Sequence, residues 1–106
     1  MQLRPLSRQR GRTVVRLRGE LTSRRAPRVR RRLLRAFARA PGVVEVDLGK
    51  VTCLAPETSA LLLAAAATAR RRGVSFLITG ASPRVLRVLE ELGMQRLADA
   101  PLRPLP

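Results

Sequence analysis

Few residues of this chain could do chemistry. Glu45 and Asp47 are alternate residues of one extended run, so their carboxylates share a face, as paired acid–base groups would. No nucleophile or metal ligand joins them, because the 106 residues include no histidine and a single cysteine, Cys53. Nucleophilic pairs of the Ser/His or Cys/His kind are therefore impossible, and so is an internal disulfide. Cys53 stands between Thr52 and Leu54 and is expected to be a buried, inert thiol. The remaining place of interest runs from Leu54 through Ala55, Pro56 and Glu57 to Thr58 and Ser59, where a strand gives way to a helix. Free N–H groups at such a helix start can hold an anion. Here Glu57 supplies a carboxylate, which is either a simple complement to the helix dipole or a fixed, partial substitute for a phosphate. Thr58 and Ser59 are expected to cap or pack. The chain reads as a protein without an enzymatic reaction, cofactor or metal.

The elements that position this loop follow from periodicity and punctuation. Val44, Val46 and Leu48 alternate with Glu45 and Asp47, a strand with one face on a core. Gly49-Lys50 is expected to break it, with Val51 to Leu54 returning inward. Pro56 suits the first turn of a helix, and Ala60 to Ala67 are all apolar, so this helix should be covered on more than one side. Upstream, residues 2–9 read as a weak extended segment and Thr13 to Arg18 as a strand. Thr22 or Ser23 should cap a helix in which Ala26, Val29, Leu33, Phe37 and Ala40 form the apolar face. Arg28, Arg31, Arg32, Arg35 and Arg39 fall on its other, solvated face, and Pro41-Gly42 ends it. Downstream, Val74 to Ile78 read as a strand, and Ser82 with Pro83 opens a third helix that Gly93 is placed to close. Met94 to Pro106 reads as a short extended edge or a frayed tail. Strands alternating with helices imply largely parallel pairing with helical crossovers, in a single α/β domain over residues 1–100 followed by a Pro-rich tail, 101–106.

Charge needs its own reading. The formal net charge is +15, and Lys50 is the only lysine among the basic residues. An arginine-rich surface could meet nucleic acid or an acidic partner. Arginine beside abundant alanine, leucine and proline is also what GC-rich coding yields. With no Trp or Tyr, and with Phe37 and Phe76 at apolar-periodic positions, there is no platform for stacked bases, so nucleic acid is not the expected partner. No apolar run is long enough to span a bilayer free of charges, and the N-terminus lacks a signal-peptide core. A cytoplasmic location without membrane insertion is expected.

In the order Val15-Arg16-Leu17-Arg18-Gly19-Glu20-Leu21, Ala26-Pro27, Val46-Asp47-Leu48-Gly49-Lys50-Val51-Thr52, Gly73, and Ser82-Pro83 through Gly93, the chain resembles a STAS domain. That family includes anti-sigma factor antagonists and the cytoplasmic tails of sulfate transporters. The resemblance implies a mostly parallel mixed sheet of about four to five strands with three helices. Antagonists of this family share a loop reading aspartate, serine, serine or threonine, glycine, whose first serine is phosphorylated by a kinase that is also the anti-sigma factor. With Val51-Thr52 as anchor those positions fall on Ala55, Pro56, Glu57 and Thr58, and all four depart from the pattern. Pro56 has no hydroxyl and cannot be the phospho-acceptor. The resemblance therefore implies a partner-binding loop, Leu54 to Ser59, that meets an anti-sigma factor with a kinase-like ATPase domain but lacks the usual switch. The alternatives are an accessory subunit of a membrane transport ATPase complex and a basic nucleic-acid-binding module.

Overall fold

The computed structural model describes residues 11–99 and residue 105. Strands β1 (Arg12–Leu21), β2 (Val43–Leu54) and β3 (Ser75–Thr79) form a parallel sheet in that spatial order. Val15 lies opposite Val46, and Val46 opposite Ile78. A 3₁₀ turn, Ser23–Arg25, leads into α1 (Ala26–Ala38), and α2 (Pro56–Arg72) and α3 (Pro83–Asp99) follow β2 and β3. Because strand order equals chain order, right-handed crossovers put α1 and α2 on the same side of the sheet. Burial agrees: Val15, Leu17, Val44, Val46 and Leu48 are enclosed, whereas Arg16 is exposed and Glu45 and Asp47 are half-buried on the opposite face. Leu77, on that open face, is 41% exposed.

The single α/β domain with three helices matches the expectation, with three strands among the described residues instead of four to five. The extended segment expected at residues 2–9 lies outside them, as does most of the tail. Leu105 is described; it is buried in the core, and its N–H donates to the Thr68 hydroxyl. At this point the tail is anchored, not frayed.

Two details of the reading change. No strand break occurs at Gly49-Lys50: β2 runs through it with register shifts opposite Arg16–Arg18 and Gly19–Glu20. The Asp47 carboxylate accepts from the Gly49 N–H at 2.9 Å, which stabilises the irregularity. Gly80 packs against it with φ +72°, and a Cβ there would sit 3.0 Å from the Gly49 backbone, so only glycine fits. Gly93 does not end α3, because Met94, Gln95, Arg96 and Leu97 are good helix formers and carry the helix on to Asp99.

The contrast between helices holds. From Thr58 to Ala69 no residue of α2 is exposed, while Arg28, Arg31, Arg32 and Arg35 of α1 face outward. Core packing is shared by Leu33 and Phe37 of α1, Leu62 and Ala65 of α2, and Val85 and Leu89 of α3.

Candidate functional site

The strand-to-helix junction after β2 is fixed by its neighbour on the sheet. The Ala55 N–H donates to the Leu21 carbonyl at 2.9 Å, tying the end of β2 to the end of β1. Ala55 is extended and offers no capping side chain, so Pro56 begins α2 directly. At the third residue of the helix, the Thr58 hydroxyl donates to the carbonyl of Leu21 at 3.2 Å, with Thr22 at 3.4 Å. The Ser59 N–H reaches back to the Ala55 carbonyl at 2.9 Å, closing the first helical turn.

These bonds divide the six residues into two sets. Leu54, Thr58 and Ser59 are buried beneath the junction, Thr58 and Ser59 completely. Ala55 is half-buried, and Pro56 and Glu57 stand in solvent. The hydroxyls of Thr58 and Ser59 are thus enclosed in the packing beneath the junction. Among the described residues the Ser59 Oγ has no hydrogen-bond partner.

Sequence reasoning missed Ser23. Its hydroxyl does not cap α1 but donates to the Glu57 carboxylate at 2.8 Å, joining the β1–α1 connection to the start of α2. That bond and the Glu57 backbone N–H hold the Glu57 carboxyl below the usual carboxylate range. The expected caps differ in outcome, since neither Thr22 nor Ser23 caps while Ser82 does, accepting from the Val85 N–H at 3.2 Å. Sequence spacing marked Ser23 as a cap because its true partner lies 34 residues away. Beside Glu57, a groove of about 510 Å³ opens between α1 and α2, floored by Ala26, Pro27 and Leu61 and rimmed by Arg30 and Arg31.

Three further assignments can be checked. Cys53 is exposed, not buried. The second register shift of β2 puts Thr52 and Cys53 outward together between buried Val51 and Leu54. Glu45 is occupied by Arg12 at 3.1 Å and by the Thr79 hydroxyl at 2.8 Å, and Asp47 by the Gly49 N–H, with Arg16 at 3.7 Å. Both carboxylates are thus committed to structural partners. Arg32 is exposed, as assigned, and also donates to the Arg16 carbonyl at 2.6 Å. No cluster of metal-ligating side chains occurs among the described residues, and none of their helices is long and apolar enough to cross a membrane.

The family described as "Mlab, STAS domain" matches residues 5–103, nearly the whole length, and the chain belongs to this STAS family. Its fold is similar to that of the anti-sigma factor antagonist SpoIIAA in its unphosphorylated form. That match has a TM-score of 0.64 and 19% identity, covering 85% of this chain and 92% of the other. It is also similar to a sulfate transporter family protein from Wolinella succinogenes, with a TM-score of 0.67 and 19% identity over 91% of this chain and 75% of the other. None of the curated proteins is similar enough in sequence to match.

Proposed function

We propose that this STAS domain acts by binding another protein, without an enzymatic reaction of its own, and that its partner is an anti-sigma factor with a kinase-like ATPase domain. The observation that carries the reading is the surface at the start of α2. Ala55, Pro56 and Glu57 adjoin the apolar groove over Ala26, Pro27 and Leu61, and the only hydroxyls within Leu54 to Ser59 are enclosed. A shaped surface with no reactive group suits recognition. Leu54, Thr58 and Ser59 serve it from beneath by fixing the junction. Pro56 occupies the position where the antagonists carry their phosphorylated serine, so partner choice here is set by abundance or by a further subunit, in the cytoplasm. The SpoIIAA-like fold supports this reading.

A second reading, an accessory subunit of a membrane transport ATPase complex, is favoured by the fold shared with the sulfate transporter family protein. Affinity capture from the native host, followed by mass spectrometry, separates the two. The expected product is a kinase-type anti-sigma factor that is lost with Glu57→Arg. Incubation of the recovered complex with ATP should leave Leu54 to Ser59 unphosphorylated. A transport ATPase as the captured protein would replace the first reading by the second. Phosphate on Thr58 or Ser59, with weakened binding, would show that the switch has moved along the helix start.

A further inference from the structure

A second groove, of about 360 Å³, lies between β1 and α1, away from Pro56 and Glu57. The main chain of Arg16 and Arg18 borders it along the strand, their carbonyls accepting from Arg32 and Arg25, and Arg25, Arg28 and Arg32 border it on the helix side. The helix-side residues recur at three and four, so they share one face. No carboxylate lines the groove. Its floor is Leu17, Leu21 and Val29, all buried. Arginines on a merely solvated helix diverge into water, but these three border one groove over a common floor.

Two of the three are also held in place. Arg32 donates to the Arg16 carbonyl at 2.6 Å, and Arg25 reaches the Arg18 carbonyl at 3.5 Å. A guanidinium has five N–H donors, so each keeps several free after that bond. Fixing the side chains in advance removes part of the entropy that a ligand would otherwise have to overcome. Lys50 adds a further cation in the adjoining cavity, which shares Arg16 and Arg18, and Asp47 is the only acid there.

We propose that the β1–α1 groove is a binding site for a multiply charged phosphate oxyanion. A carboxylate brings one charge and two oxygens, enough for one guanidinium fork. A phosphate or pyrophosphate group brings more charge and oxygens on several sides, which suits three neighbouring forks. No aromatic side chain lines the groove, so recognition stops at the phosphate and does not extend to a stacked base. The phosphate can belong to a free oxyanion or to a lipid headgroup, and the test has an arm for each.

Sodium pyrophosphate is titrated into the ¹⁵N-labelled chain at constant ionic strength set with sodium chloride. Amide shifts should centre on Arg16 to Leu21 and Arg25 to Arg32. Combining Arg25→Gln with Arg28→Gln should weaken binding by about tenfold or more. Arg71→Gln with Arg84→Gln removes the same charge elsewhere and should change it less than about twofold. In the second arm, phosphatidylglycerol vesicles are compared with phosphatidylcholine vesicles. Vesicle binding that needs Arg25 and Arg28, without pyrophosphate binding, identifies the lipid headgroup as the source. The amide map on the unsubstituted chain and Arg28→Lys serve if the double variant does not fold. The site is disproved if neither probe binds, if the shifts scatter over the surface, or if both double variants lose affinity equally. Duplex DNA that binds with equal losses in both would likewise reduce the groove to unspecific charge.

Discussion

Glu57 is exposed, yet its carboxylate is oriented by a hydroxyl from a different part of the chain. A carboxyl held below its unfolded value contributes stability that is present above the unfolded pKa and lost as pH falls through the lowered, folded one. Ser23→Ala should move the Glu57 pKa back up toward the ordinary range, as an NMR titration of its side-chain carboxyl carbon would show. An unchanged titration would mean that the Ser23 bond does not persist in solution. On the next two residues, Thr58 and Ser59, adjacent buried hydroxyls should behave oppositely. Thr58→Val removes a bond to the Leu21 carbonyl and should cost about 1 kcal/mol, whereas Ser59→Ala deletes an oxygen without a partner and should be neutral or stabilising by up to about 1 kcal/mol. Urea denaturation of the two variants gives the comparison. That these hydroxyls pack was legible from their place after Pro56. That only one is satisfied was not, because its acceptor is supplied by β1.

Local punctuation announced most of the elements. Pro56 opens α2, Ser82-Pro83 opens α3 with a side-chain cap, and Gly73 closes α2 in the left-handed region at φ +67°. What escaped the sequence depends on pairing between distant segments. The irregular register of β2 against β1 turns Cys53 outward, and no pattern within residues 51–54 discloses it. Arg32 fits the solvated face by period alone, but β1 offers it a carbonyl. The end of α1 holds a less evident strain: Ala40 has φ +52° just before the buried Pro41. An alanine in that region is disfavoured, and glycine, despite its greater freedom in the unfolded chain, should be better tolerated. Ala40→Gly should therefore stabilise the fold by about 0.5–1 kcal/mol, read as a shift of the denaturation midpoint at unchanged slope.

Across the whole molecule, one face of a parallel sheet is covered by helices and the other carries ion pairs and hydroxyls. The alternation of Val44, Val46 and Leu48 with charged residues was enough to foresee that asymmetry, and the family match agrees with the architecture. The distribution of charge was less legible. Periodicity placed the helix arginines outside, but could not show which of them border a groove with β1, since that is set by tertiary packing. The carbonyls of Arg16 and Arg18, occupied by Arg32 and Arg25, have a colloidal consequence. A main-chain acceptor already engaged by a side chain is a poor template for a neighbouring molecule's backbone, and a cation at the same place repels a second copy of this strongly basic chain. In concentrated solution, approach along this side of β1 is thus discouraged twice, by occupied acceptors and by like charge, and runaway stacking of sheets has no easy starting point there.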